Sequence, residues 1–119
     1  MCEDDLITLK ALEYSLKKEG YEVLSANDGK VGVDLLRENV NQIKMMITDQ
    51  HMPYFSGLEL VNEARNKLNA TFPVIMLTRV NTDESRNLAG NLGVTEYITK
   101  PFLPKQLILK VKYILENLK

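Results

Sequence analysis

Glu3, Asp4, Asp49, Thr78 and Lys100 are side chains that could do chemistry together, if the fold brings them to one place. Carboxylates with water favour hard cations, and Mg²⁺ commonly takes one or two carboxylates plus waters and phosphate oxygens. A carboxylate can also attack phosphorus and form an aspartyl phosphate. Charge in phosphoryl transfer spreads over the equatorial oxygens, where a cation, an ammonium and a hydroxyl stabilise it. Each residue alone has a plainer explanation. Asp49 could start a turn, Glu3-Asp4-Asp5 could be a solvated cluster at a helix start, and Thr78 and Lys100 could be ordinary surface residues. The conjunction matters more than any member.

The elements that must position these side chains can be read from the hydrophobic pattern. Asp49 ends a mostly apolar run, residues 43–48, suited to a buried strand; Met52-Pro53 and Ser56-Gly57 follow, and then a helical pattern begins. Leu6, Leu9, Leu12 and Leu16 recur at helical spacing, Asp5 or Asp4 can cap that helix, and Gly20 closes it. Residues 21–26 alternate like a half-buried strand, and Asn27-Asp28-Gly29 turns into a helix carrying Val33, Leu35 and Leu36, ending near Asn39. Leu58, Leu60, Val61, Ala64 and Leu68 mark a third helix, and residues 73–78 a buried strand ending at Thr78. A polar helix over 83–91 has few core residues (Leu88, Ala89, Leu92) and ends at Gly93; residues 95–99 form a strand ending at Lys100-Pro101. Pro104 opens a last helix with the stripe Leu107, Ile108, Val111, Ile114, Leu115 and Leu118. Strands alternating with helices predict a doubly wound α/β fold with a parallel sheet. All the reactive residues then fall at strand carboxyl ends, where such sheets keep their sites.

Composition narrows the function class. With 119 residues the chain is long enough for one domain with a real core. A net charge of −1 and no basic block argue against nucleic acid or an anionic membrane as a direct partner. The single cysteine, Cys2, excludes an internal disulfide and fits a cytoplasmic location, and neither a spanning segment nor a secretory signal is visible.

Taken together, Glu3-Asp4, Thr48-Asp49-Gln50-His51-Met52-Pro53 with Ser56-Gly57, residues 73–78, and residues 93–102 around Tyr97-Ile98-Thr99-Lys100-Pro101 resemble the receiver domain of bacterial two-component response regulators. The resemblance covers the whole chain, 1–119, as a single receiver domain without an effector. It implies a flavodoxin-like (βα)5 sandwich with sheet order 2-1-3-4-5. It implies that Asp49 accepts a phosphoryl group from a histidine kinase or histidine phosphotransfer protein, with no turnover of an external substrate. Glu3, Asp4, Asp49 and the backbone carbonyl of His51 would hold Mg²⁺ or Mn²⁺, while the His51 side chain stays near the surface. Thr78 and Lys100 would bind the phosphoryl group, Thr78 and Tyr97 would form the switch, and Lys100–Pro101 would be cis. Gly57 has a structural place. The readout, and an optional homodimer contact, would be the face built from the 83–91 helix, the 95–99 strand and the last helix.

Two departures stand out. Only Met1 and Cys2 precede the acids where the family has a full strand, which leaves the first strand truncated and points to a missing or displaced start. Arg79 follows Thr78 where the family usually has a small residue; it could overhang Asp49 or pair with the acids as a modulator. Two other readings compete. A receiver-like protein-binding module would not take phosphate. A haloacid-dehalogenase-type phosphatase needs an acid two residues after the nucleophile, where this chain has His51, and room for a cap domain.

Overall fold

The computed structural model describes residues 1–117, so the expected place of Leu118 in the last helix lies outside the described residues. The elements are α1 (Leu6–Lys18), α2 (Gly29–Asn39), β1 (Met46–Asp49), α3 (Gly57–Asn62), β2 (Val74–Thr78), α4 (Asp83–Asn91), β3 (Glu96–Thr99) and α5 (Pro104–Glu116). A π-helical turn, Glu63–Lys67, continues α3.

The three strands are parallel in the order β1-β2-β3, with Ile47 opposite Ile75 and Leu77 opposite Ile98. On the other side of β1, Cys2 alone bridges Thr48 and Ala26, both in parallel sense. The Cys2 N–H donates to the Ile47 carbonyl (2.8 Å), and the Cys2 carbonyl accepts from the Asp49 N–H (2.8 Å). The expected strand order is kept, giving a flavodoxin-like arrangement. The expected strand over 21–26 shrinks, however, to a single bridge at Ala26. A strand needs a neighbour to satisfy its amides, and the neighbour here is one residue long.

Alternation along the strands divides the core. Met46, Val74 and Met76 face one cluster with Val33, Leu36, Leu60, Val61 and Ala64 from the α2–α3 side. Ile47, Ile75 and Leu77 face the other with Leu12, Leu16, Leu107, Ile108 and Val111 from α1 and α5. Because both faces are covered, β1 and β2 are buried at every position, which is why the sequence around them reads as mostly apolar rather than alternating. Each fully buried Leu, Ile or Val contributes about 1.5–3 kcal/mol, so these two clusters dominate the fold's stability. At the edge, β3 is only half-buried. The residues at helical spacing from Leu6 to Leu16 form α1 as expected; Leu6, in the first turn after the Asp5 cap, is exposed, and Leu9, Leu12 and Leu16 make the inward stripe.

Candidate functional site

The strand ends are laced together by backbone hydrogen bonds. Asp49 donates to Cys2, Gln50 donates to the Leu77 carbonyl (3.1 Å), and Lys100 donates to the Thr78 carbonyl (2.7 Å). Strand pairing thus carries residues 3, 49, 78 and 100 to one edge of the sheet.

At that edge Glu3 and Asp49 are buried and Asp4 is exposed. Carboxylate oxygens of the three lie within 4.8 Å of one another. Lys100 sits between two of them, with Nζ 2.9 Å from Glu3 Oε1 and 3.1 Å from Asp49 Oδ2. Asp49 Oδ1 also accepts from the Gln50 N–H at 3.0 Å. Glu3 Oε2 is buried and has no hydrogen-bond partner. Burial, and then the neighbouring Asp49 carboxylate, push the Glu3 carboxyl above its usual range, and Lys100 offsets this only in part. Burial pulls the Lys100 ammonium down, but the hydrogen bonds and charges of Glu3 and Asp49 outweigh it and hold the ammonium above its ordinary value. Two acids share one base, and one acid oxygen is left over. That orphaned oxygen, in an all-oxygen donor set of three acids, fits a hard divalent cation such as Mg²⁺ or Mn²⁺.

Gly57 explains how α3 can start so close to Asp49. A Cβ at Gly57 would collide with the Asp49 carbonyl oxygen and touch Met76. The helix begins there because Ser56 caps it reciprocally with Glu59, and the Gln50 side chain accepts from the Leu58 N–H at 2.9 Å.

Thr78 is buried, and its hydroxyl oxygen accepts from the Val80 N–H at 3.1 Å. Tyr97 is half-buried against the α2–α3 cluster, and its hydroxyl donates to the Val80 carbonyl. The Lys100–Pro101 bond is cis. The His51 side chain is exposed. Arg79 is exposed too, and among the described residues it forms no ion pair with the acids. Sequence reading passed over Arg86, whose guanidinium lies 4.9 Å from the Tyr97 ring centroid. Gln50 stands inside the motif around Asp49, but its side-chain role at the start of α3 shows only through a tertiary contact, and Arg86 carries no pattern signal at all.

The sequence profile of the response regulator receiver domain matches residues 1–112. The chain belongs to this family. Receiver domains are also what its structure resembles among solved proteins. The Francisella response regulator 1452 receiver domain superposes with a TM-score of 0.89 at 27% identity, covering 99% of this chain and 95% of that one. A response regulator receiver domain protein from Clostridium thermocellum gives 0.86 at 30% identity, with 97% and 90% covered. A CheY-like receiver protein from Methanospirillum hungatei gives the same values. As a receiver domain, the chain is a signalling module of a response regulator. Among its described residues no helix is long and apolar enough to cross a membrane.

Proposed function

We propose that this receiver domain is a phosphoacceptor switch in which Asp49 takes a phosphoryl group from the phosphohistidine of a histidine kinase or phosphotransfer protein. The observation that carries the reading is the meeting of Asp49, Lys100 and two further acids at one sheet edge, with Glu3 Oε2 left without a partner. An Asp49 carboxylate oxygen attacks phosphorus, the P–N bond breaks, and the imidazole nitrogen keeps the electron pair and takes a proton. Water later attacks the same phosphorus and releases phosphate and free Asp49. Glu3, Asp4, Asp49 and the His51 carbonyl would hold Mg²⁺ or Mn²⁺, which when bound neutralises charge on the phosphoryl oxygens. Lys100 exchanges part of its carboxylate pairing for a phosphoryl oxygen. The Thr78 hydroxyl, now an acceptor from Val80, has its own hydrogen free to donate to another.

Phosphorylation then acts on Thr78, the loop after it and Tyr97, and is read on the face formed by α4, β3 and α5. That face would meet the effector or a second copy. The small buried share of α4, with Ala89 its only buried residue, suits an element that moves. The test is incubation with acetyl phosphate and Mg²⁺ followed by intact-mass measurement. The parent gains one phosphoryl group and Asp49→Asn gains none. A parent that gains nothing, with phosphohistidine donors failing as well, would leave a receiver fold that only binds proteins.

A further inference from the structure

Arg86 is exposed on α4, yet its side chain reaches three residues in two other parts of the fold, the β2–α4 loop and β3. Nε donates to Asn81 Oδ1 at 2.7 Å, in the loop between β2 and α4. Nη2 lies 3.4 Å from Thr99 Oγ1, at the end of β3. The guanidinium plane covers the Tyr97 ring at 4.9 Å, while the Tyr97 hydroxyl holds the Val80 carbonyl of the same loop. The ring is thereby fixed at both ends, by a backbone acceptor at its tip and a cation on its face. Little else ties this end of α4 down, since Leu88 is 51% exposed.

We infer that Arg86 is a positioning residue that clamps Tyr97 in its place against the α2–α3 cluster, with its hydroxyl on the Val80 carbonyl, before any phosphoryl group arrives. The inference rests on the proposed switch, in which the phosphorylated state uses Tyr97 in this place, and adds the residue that sets its resting balance. By linkage, whatever factor Arg86 contributes to the clamped population also enters the affinity for a phosphoryl group. An exposed cation–π contact shifts the ratio of clamped to released Tyr97 about two- to fivefold, and fivefold is then the upper bound of its effect on affinity.

The experiment compares the parent, Arg86→Ala and Arg86→Lys for two quantities. One is the affinity, measured with Mg²⁺ present, for beryllofluoride, which activates a structurally similar receiver domain, that of DrrB (28% identity, TM-score 0.82, 98% of this chain and 94% of that one covered). The other is the set of nuclear Overhauser contacts between the Tyr97 ring and Val80 without ligand. Arg86→Ala should bind beryllofluoride more weakly, by up to about fivefold, and show weaker Tyr97–Val80 contacts. Arg86→Lys keeps the charge but not the planar fork, and should fall between. Equal or tighter binding by Arg86→Ala, or Tyr97–Val80 contacts of undiminished intensity, overturns the clamp. If the parent binds no beryllofluoride, the switch reading fails, and the contacts in the free protein still decide whether Arg86 holds Tyr97.

Discussion

Replacing Glu3 by Gln should make the cation-free protein more stable. The sign is not obvious, because the substitution breaks an ion pair to Lys100 at 2.9 Å. At an effective dielectric of about 20 that pair attracts by about 6 kcal/mol, given its 2.9 Å separation. The same charge is repelled by the buried Asp49 carboxylate, by about 3.5 kcal/mol at the 4.8 Å limit of their separation, which offsets more than half of that attraction. The unpartnered buried Oε2 adds about 1–3 kcal/mol of desolvation. Lys100 meanwhile keeps Asp49 at 3.1 Å, so no buried ammonium is stranded. Burial and then Asp49 raise the Glu3 carboxyl in spite of Lys100, so the charge on Glu3 is a net cost to the cation-free fold. A gain of even 1 kcal/mol raises Tm by roughly 3–6 °C for a domain of this size. Thermal melts by circular dichroism in chelator should show that rise for Glu3→Gln. Added Mg²⁺ should stabilise the parent more than the variant, because the ligand set has lost a charge. A lower Tm in chelator would show that Glu3 is there for its ion pair with Lys100, and would refute the electrostatic account of the site.

Two further perturbations test other parts of the structure. Gly57→Ala puts a methyl against the Asp49 carbonyl and should cost about 1–3 kcal/mol, read as a lower urea midpoint; an unchanged midpoint would mean α3 is free to shift away. Arg37 donates to Glu63 at 2.9 Å, and chiefly through this hydrogen bond holds the Glu63 carboxyl below its usual value. A depressed carboxyl contributes stability that is present above its unfolded value and lost as pH falls through the folded one. Arg37→Met should thus melt lower at neutral pH, with the gap to the parent closing on acidification below the depressed Glu63 value. A gap that persists there would assign the loss to packing of the arginine stem.

The buried strands were legible in the sequence because both faces of β1 and β2 are covered, which leaves mostly apolar runs ending at Asp49 and Thr78. Once the strand order was set, the site followed from it, since parallel pairing alone brings Glu3, Asp49 and Lys100 together. Residues 21–26 misled because alternation reports which way side chains point, not whether a partner strand is present to pair with them. The π-helical turn after α3 was not legible either. Ala64 and Leu68 keep helical spacing, while the extra residue in the turn comes with tertiary bonds: Arg65 donates to the carbonyls of Ala70 (2.9 Å) and Gly93 (2.9 Å). Arg86 escaped for the same reason, as an exposed arginine on a polar helix has no pattern to betray it.

The one-residue bridge at Cys2 has a mechanical consequence. Asp49 is embedded in a strand paired along its full length, but Glu3 and Asp4 hang from a few amide bonds around Cys2 and Ala26. Local opening of this seam between Cys2, Ala26 and β1 costs far less than unfolding the domain, and a single opening event would carry both acids out of the crevice together. Whatever grips them, whether Lys100 or a divalent cation, also fastens the seam to the sheet. Amide exchange at Cys2 and Glu3 therefore becomes a gauge of how firmly the crevice is occupied.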